Sequence, residues 1–183
     1  TADHATLTDA TTGTLTVAYT VTSLSNLVLW LKGDGSVTYN GSNEVSTWSD
    51  HSRNSKDASQ PGIDSLKPVF TANAINNLPA LAFDGTDDFM ETLNVLNGTS
   101  ARTLFIVATN NANTGTYDVF FDYSQTVTTS GTNYAVTSEM AVRVSGNRVF
   151  NEAFSPGATS IMTVTNATSA NATAINVYLD RAL

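Results

Sequence analysis

Residues 13–22 have the sequence GTLTVAYTVT, an alternation that indicates the fold class of the chain. Successive side chains of an extended strand point to opposite faces, so Leu15, Val17, Tyr19 and Val21 fall on one face. Threonines occupy most of the other face. The pattern predicts a β-strand with one apolar and one polar face.

The same period of two recurs along most of the remaining chain. No long window shows the apolar stripe of an amphipathic helix, and Gly-, Asn- and Ser-rich turns separate the short apolar runs. Many short strands with turns between them are typical of an antiparallel sandwich. We therefore predict an all-β protein, an antiparallel β-sandwich of the jelly-roll type, with strands at Asn26–Lys32, Val45–Ser49, Lys67–Thr71, Pro79–Phe83, Phe89–Leu93, Arg102–Thr109, Asp118–Tyr123, Met140–Ser145, Ile161–Thr165 and Ala174–Asp180.

The length of 183 residues suits one sandwich domain with a hydrophobic core rather than two full domains. The pattern changes near Ser25, so we expect an N-terminal extension strand and linker over residues 1–25 and one sandwich domain over residues 26–183. Because the chain begins at Thr1 without a methionine, we interpret it as a mature or excised product. We expect it to be extracellular or on a cell surface.

The chain is acidic, with 16 Asp and Glu residues against 8 Lys and Arg residues and a formal net charge of −8. Such a charge repels phosphate backbones and anionic lipid surfaces. There is no cysteine, so disulfides and thiolate metal sites are excluded. There is also no apolar run of about 18 residues that could cross a bilayer. We predict no nucleic-acid partner and no membrane insertion.

Five segments between Leu27 and Phe89 follow one another in a recognisable order: Leu29-Trp30-Leu31-Lys32 with the Gly33-Asp34-Gly35 turn, Val45-Ser46-Thr47-Trp48-Ser49-Asp50, the Asp50, Ser52 and Asn54 loop, Leu78-Pro79-Ala80-Leu81-Ala82-Phe83, and Asp84-Gly85-Thr86-Asp87-Asp88-Phe89. In this order they resemble the laminin-G-like, concanavalin-A-like lectin (jelly-roll) family of bacterial surface proteins. Weaker similarity at Leu104–Val107 and Val177–Asp180 extends it towards the C-terminus. The resemblance implies a concanavalin-A-like jelly roll and a carbohydrate-binding or adhesion function.

The chain departs from that family in two places. Glycines usually occupy the family's positions of Arg53 and Ser55, which argues against a left-handed backbone at either residue. In the family, the strand that Val177–Asp180 resembles is followed by further strands. We therefore expect the last strands of the sheet to be missing.

The loop Asp50-His51-Ser52-Arg53-Asn54 is the strongest candidate for a metal site. Asp50, Ser52 and Asn54 carry oxygen atoms at alternate positions, from which they can converge on a hard cation such as calcium, and Asp57 can add a ligand. The same residues also suit Asx turns that satisfy loop backbone groups without an ion. The sequence leaves both interpretations open.

Asp84-Gly85, followed by Asp87-Asp88, predicts first a tight hairpin turn, because Asp-Gly favours turns that match the twist of paired strands. A second interpretation is that these carboxylates approach the Asp50 loop and complete an oxygen cage around a cation. The candidate calcium ligands are therefore Asp50, Ser52, Asn54, Asp57, Asp84 and Asp88.

Trp30 and Trp48 lie within apolar strand patterns, so we expect them to pack in the core with each indole N–H bonded to the backbone. Tyrosines in loops or at the rim are better candidates for stacking on a sugar ring, because a tyrosine combines an apolar face with a polar tip. The candidate ligand-binding residues are Tyr39, Tyr117, Tyr123 and Tyr134.

Catalytic signatures are absent from the sequence. The Glu-x-Asp-x-x-Glu strand of glucanases with this broad fold does not occur. His4 and His51 have no Ser or Asp arrangement that indicates a catalytic triad. We predict that the protein is not an enzyme.

Two functions agree with these features. The first is a non-catalytic extracellular binding module of an adhesin-type surface protein, which binds carbohydrate with or without calcium. The second is a structural subunit of an extracellular filament or surface layer, in which residues 13–22 add a strand to the open sheet edge of the next subunit. The same pattern also suits a strand that folds back into the sheet of its own chain. The predicted partner is a carbohydrate or another protein subunit, including a homo-oligomer formed through residues 13–22.

Overall fold

The computed structural model describes residues 21–93, 101–109, 119–122, 134–137, 142–144, 147–148, 157–166 and 175–180. Strands make up nearly all regular structure in these residues. They are β1 (Val37–Tyr39), β2 (Val45–Trp48), β3 (Ala58–Ser59), β4 (Val69–Ile75), β5 (Leu78–Ala82), β6 (Glu91–Thr92), β7 (Arg102–Thr109), β8 (Val119–Asp122), β9 (Tyr134–Thr137), β10 (Val142–Val144), β11 (Asn147–Arg148), β12 (Thr159–Asn166) and β13 (Ile175–Asp180). Two 3₁₀ turns, Val21–Ser23 and Asp64–Leu66, accompany them.

The described strands pair antiparallel throughout and form four sheets, with strand orders β1-β2-β3-β6, β11-β10-β9-β8, β13-β12-β7 and β4-β5. The prediction of an all-β, antiparallel protein is confirmed. Closure of these sheets into a sandwich or jelly roll stays a prediction. The 3₁₀ turns within the described ranges are too short to cross a membrane.

The sheet β13-β12-β7 is the longest in register. Each of the eight residues of β12 pairs with one of β7, from Thr159 opposite Thr109 to Asn166 opposite Arg102. β13 pairs with the other edge of β12. Side chains alternate between the two faces of a strand. One face of β12 therefore carries Met162 and Val164, which are both fully buried.

The hairpin β4-β5 is joined to the start of β2 by backbone hydrogen bonds. The N–H of Val45 donates to the carbonyl of Pro68 over 2.8 Å, and the N–H of Phe70 donates to the carbonyl of Asn43 over 2.9 Å. Val45 and Pro68 are both fully buried at this junction. A two-stranded hairpin alone is only marginally stable in water. The contact with the first sheet therefore stabilises this hairpin.

The structure corrects the prediction of a hairpin at Asp84-Gly85. β5 pairs with β4 rather than with β6, so the Asp84-Gly85 segment connects strands of different sheets. The tight hairpin lies instead at Asn76-Asn77, between the paired residues Ile75 and Leu78. Both asparagines have positive φ, 49° and 62°. Two consecutive left-handed residues are the requirement of a type I′ turn, and asparagine tolerates that conformation.

The prediction of a strand at Asn26–Lys32 is wrong. An isolated bridge joins Leu31 to Asp50, and no strand is assigned over this segment. Instead, side chains of the loop that follows β2 bind much of the backbone of residues 26–32. Of the strand predicted over residues 13–22, Val21 and Thr22 lie in the first 3₁₀ turn, and residues 13–20 lie outside the described residues.

Candidate functional site

The carboxylate of Asp50 organises the loop that follows β2. Its Oδ1 accepts hydrogen bonds from the N–H of Trp30 (3.0 Å) and of Ser52 (2.8 Å). Its Oδ2 accepts from the hydroxyl of Ser52 (2.6 Å) and from the N–H of Lys56 (2.9 Å). An ionised carboxylate has about four lone-pair sites, so these four donors use its acceptor capacity.

Ser52 and Asn54 attach the same loop to the segment that precedes β1. The amide Nδ2 of Asn54 donates to the carbonyls of Leu27 (2.9 Å) and Val28 (3.1 Å). The hydroxyl of Ser52 lies 3.3 Å from the carbonyl of Val28 and also accepts from the N–H of Asn54. These bonds hold residues 27–30, which do not belong to a sheet, against the loop that follows β2.

Hydrogen bonding sets the charge state of Asp50. Partial burial alone would raise the pKa of this carboxyl, but the bonds from the Ser52 hydroxyl and from the N–H groups of Lys56, Trp30 and Ser52 outweigh burial. The pKa of Asp50 is therefore below its ordinary value. Asp57 supports the loop from the other side, since its Oδ1 accepts from the N–H of Asp50 over 2.8 Å.

Every predicted ligand in the Asp50 loop is thus a partner of the protein's own backbone. A calcium ion at Asp50 would have to displace hydrogen bonds that hold residues 27–30 and 50–56 together, which favours the Asx-turn interpretation for this loop. Ser55 has a φ of 52°, so the expectation that it avoids the left-handed region is wrong. Arg53 agrees with that expectation, since its φ is not positive.

The Asp84 segment forms a second Asx turn. Oδ1 of Asp84 accepts from the N–H groups of Thr86 (2.7 Å) and Asp87 (3.2 Å), and Oδ2 of Asp88 accepts from the N–H of Asp84 (2.8 Å). The hydrogen bond from the backbone of Thr86 lowers the pKa of Asp84. Partial burial, with the neighbouring charges of Asp84 and Asp87, raises the pKa of Asp88.

The predicted metal ligands form two separate groups in the structure. Carboxylate oxygens of Asp84, Asp87 and Asp88 all lie within 4.8 Å of one another. Among the described residues, neither Asp50 nor Asp57 joins a carboxylate cluster of this kind. No carboxylate cluster among the described residues includes both loops, and an oxygen cage between them stays a prediction. Calcium binding stays a prediction, and the Asp84–Asp88 turn is the described place where carboxylates converge.

The two tryptophans are half-buried rather than packed in the core, and one of them forms the predicted hydrogen bond from its indole N–H to the backbone. The indole N–H of Trp48 donates to the carbonyl of Lys32 over 2.6 Å. The ring of Trp30 meets the ring of His51 edge-on, with centroids 5.9 Å apart, and lies 5.2 Å from the Lys32 ammonium. The contacts of the two tryptophans therefore link the segment before β1 to β2 and to the Asp50 loop.

The tyrosines proposed as sugar-stacking residues do not assemble into one described site. Tyr39, at the end of β1, is 46% exposed, and its ring stacks on that of Phe70 with centroids 5.1 Å apart. Tyr117 and Tyr123 lie outside the described residues, and Tyr134 is the first residue of β9. Phe70 therefore occupies one face of the Tyr39 ring.

The described aromatic residues that are most open lie on the sheet β13-β12-β7. Phe105 is 67% exposed and Tyr178 is 59% exposed. The aliphatic side chain of Val107, on the same side of β7 as Phe105, is 54% exposed. Phe105 and Tyr178 both pair with Thr163, from its two sides, so the three residues form one row across the sheet. We call this side of the sheet the outer face, opposite the face that buries Met162 and Val164.

The outer face is ordered in rows that run across the strands. The row Phe105-Thr163-Tyr178 lies between a polar row, Thr103-Thr165-Asn176, and a row of two aliphatic residues and one acidic residue, Val107-Ile161-Asp180. At the far end, the hydroxyls of Thr109 and Thr159 bond to each other over 2.7 Å. The outer face therefore carries aromatic and aliphatic residues, with threonines, an asparagine and the acidic residue Asp180 beside them.

A groove of about 420 Å³ lies between Thr22–Leu27 and the Asp50 loop. Its lining is mainly small and polar, with Arg53 as its cation, and contains no Tyr, Trp or Phe. Stacking on a sugar ring needs an aromatic face, so the groove suits that chemistry less well than the outer face.

Comparison with protein-family models, curated proteins and solved structures gives no match to this chain. The resemblance to laminin-G-like domains therefore remains an expectation from the segments quoted above. Sequence reasoning missed Phe105 and Tyr178 as site residues. A signal was present, because Arg102–Thr109 is apolar on both faces, with Leu104 and Ile106 on one and Phe105 and Val107 on the other.

Proposed function

We propose that the chain is a non-catalytic extracellular binding module, and that it holds a carbohydrate on the outer face of the sheet β13-β12-β7. The observation that carries this proposal is the row of Phe105, Thr163 and Tyr178, in which two open aromatic rings flank a hydroxyl. The proposed site is therefore a sheet face and not the loop tyrosines.

The chemistry of the row suits a sugar. A pyranose ring presents C–H groups on its flat faces and hydroxyls around its rim, so it gains from contact with an aromatic face and from hydrogen bonds at its edge. Phe105 and Tyr178 supply the rings. Threonine hydroxyls and the Asn176 amide supply donors and acceptors beside them. The described rows of the outer face contain one acidic position, Asp180, whereas glycoside hydrolysis generally uses a pair of carboxyl groups.

The size of the outer face favours a glycan over a protein partner. Three strands spaced about 4.8 Å apart, two of eight residues and one of six at about 3.4 Å each, give a face about 14 Å wide and about 20–27 Å long, or at most roughly 400 Å². A standard protein interface buries about 800 Å² on each partner. A lone face of half that area suits a slender ligand better than a second globular protein.

Charge argues against a nucleic acid on the same platform. Proteins that stack bases combine aromatic rings with a positively charged groove that follows the phosphates. The rows around Phe105 and Tyr178 contain no lysine or arginine, and the whole chain carries a net charge of −8. An uncharged polymer meets no such repulsion.

The proposal is tested by calorimetric titration with soluble tetrasaccharides, namely cellotetraose, chitotetraose and xylotetraose. The double variant Phe105→Thr/Tyr178→Thr removes both rings and keeps a residue type that suits a strand. Tyr39→Thr removes an exposed ring elsewhere and is the matched control. We expect at least one glycan to bind, the double variant to lose binding and the control to retain it.

Three results would overturn the proposal. The first is that none of the three glycans binds. The second is that the Tyr39 variant loses binding and the double variant keeps it. The third is self-association through the outer face, seen as a dimer in light scattering that the double variant converts to a monomer.

The structural-subunit alternative rests on a different observation. Among the described strands, β7 pairs with β12 along one edge, and it has no charged residue from Thr103 to Thr109. Long uncharged edges are receptive to a further strand. Residues 13–22, the strand proposed as donor, have a matching alternation. Deletion of residues 1–22 should then abolish oligomers, and an unchanged monomer before and after deletion would end the idea.

A further inference from the structure

We infer that the ligand is a neutral, extended glycan that lies across the three strands, along the row Phe105-Thr163-Tyr178, and not parallel to any strand. This inference rests on the proposed function, since it concerns the orientation and class of the same ligand. It depends on the register of β7, β12 and β13 and on which positions of the outer face carry rings.

The two rings are separated across the sheet and not along it. Phe105 and Tyr178 are both opposite Thr163, so two strand spacings, roughly 9–10 Å, separate their backbones. Along β7, the neighbours of Phe105 on the outer face are Thr103 and Val107, which have no ring. A chain parallel to β7 would therefore stack on one aromatic ring, whereas a chain across the strands would stack on two.

The rows on either side of the aromatic row differ in composition. Thr103, Thr165 and Asn176 lie on one side, and Val107, Ile161 and Asp180 lie on the other. Beyond the second of these rows, the hydroxyls of Thr109 and Thr159 already bond to each other. The Thr103 side therefore supplies neutral donors and acceptors for the sugar hydroxyls, and the other side has one polar position, Asp180, in the same strand as Tyr178.

The central hydroxyl has a distinct position. Thr163 lies between the two rings and is half-buried, so its hydroxyl can bond to the part of the glycan that bridges the two stacked sugars. An extended, β-linked chain keeps successive rings near one plane and can contact both aromatic residues. A coiled α-linked chain that stacks on one of the two aromatic rings curves away from the sheet before it reaches the other.

Charge restricts the class of sugar. None of the outer-face residues in the polar and aromatic rows is a lysine or arginine, and the protein has twice as many acidic as basic residues, 16 against 8. A uronic acid or sulfated sugar would meet no cation on these rows and would be repelled by the net charge. The recognised chain is therefore neutral.

The experiment is a length series of cellobiose, cellotriose, cellotetraose and cellohexaose, titrated into the full chain and into single variants. If one ring contact adds about tenfold in affinity, the affinity should rise about tenfold once the oligomer is long enough to reach both rings. Phe105→Thr and Tyr178→Thr should each abolish this rise and bind short and long oligomers alike. Val107→Thr, which keeps both rings, should retain it.

Specific outcomes separate this inference from the proposed function. If the length-dependent rise persists in Tyr178→Thr and disappears in Val107→Thr, the chain runs along β7, and the inference fails although glycan binding stands. If cellotetraose, chitotetraose and xylotetraose all fail to bind, the proposed function fails first. A hyaluronan tetrasaccharide, which is acidic, should bind at least about tenfold more weakly than chitotetraose, and equal or tighter binding would overturn the neutral class.

Discussion

The loop at Asp50 provides the sharpest test of the structure's local energetics. Replacement of Asp50 by alanine leaves the N–H groups of Trp30, Ser52 and Lys56 without their acceptor. A hydrogen bond contributes about 0.5–1.5 kcal/mol net, and the loop is open enough for water to replace part of each bond. We therefore expect Asp50→Ala to lower the free energy of unfolding by about 2–3 kcal/mol.

Two measurements check this expectation. Urea denaturation should show a lower midpoint with an unchanged slope, since the surface exposed on unfolding stays the same. Amide hydrogen exchange should accelerate at Trp30, whose N–H loses its acceptor. The control is Asp57→Ala, which removes one hydrogen bond and should cost about 1 kcal/mol or less. An unchanged midpoint and unchanged exchange at Trp30 in Asp50→Ala would refute the reasoning.

The pH dependence of the same residue has a definite sign. The pKa of Asp50 is lowered in the folded protein, so the ionised carboxylate stabilises the fold at pH values above the unfolded pKa of about 3.9. This contribution is lost as the pH falls through the folded pKa. Asp50→Asn should therefore be less stable than the parent at neutral pH, and the difference should shrink in acid. A constant difference from neutral pH to well below pH 4 would contradict the assignment.

Substitutions at Gly33, Asn77 and Asp88, with Gly41→Ala as a control, test other parts of the fold by urea denaturation. Gly33→Ala should lower the free energy of unfolding by about 1–3 kcal/mol, because the added Cβ would lie 2.4 Å from the carbonyl oxygen of Pro79. Gly41→Ala is the control and should lower it much less, because its Cβ meets open space. Equal losses of stability would contradict the packing. Asn77 has a φ of 62°, so Asn77→Val should cost about 1–2 kcal/mol and Asn77→Gly should be tolerated, and the reverse order would exclude the type I′ turn. The pKa of Asp88 is raised in the folded protein, so the ionised carboxylate destabilises the fold at neutral pH. Asp88→Asn should therefore stabilise the protein at neutral pH by less than about 1 kcal/mol, and the gain should vanish in acid. Destabilisation at neutral pH would contradict this.

The sequence predicted strands well where the alternation is long and uninterrupted. Arg102–Thr109 was predicted with the bounds of β7, and the predicted strands Ile161–Thr165 and Ala174–Asp180 fall on β12 and β13. Short strands were missed, such as Ala58–Ser59, because two residues cannot show a period. The all-β, antiparallel class followed from the pattern because alternation is a property of each strand by itself.

Features that depend on distant partners could not be predicted. Asn26–Lys32 has the composition of a strand, yet its backbone is bound by the side chains of Asp50, Ser52 and Asn54, more than twenty residues later for most of these contacts. Likewise, alternation shows that Phe105 and Leu104 lie on opposite faces of β7, but it does not show which face the rest of the protein covers. The outer face emerged only from the three-dimensional structure.

The central claim is that the outer face of the sheet β13-β12-β7 is the ligand-binding surface. The most direct measurement is NMR chemical-shift mapping of the full chain during titration with cellotetraose, chitotetraose and xylotetraose. We predict that the largest shifts fall on Phe105, Thr163 and Tyr178, with smaller shifts on Thr103 and Asn176. Shifts concentrated at Tyr39 or around Asp50, with the outer face unaffected, would contradict the claim.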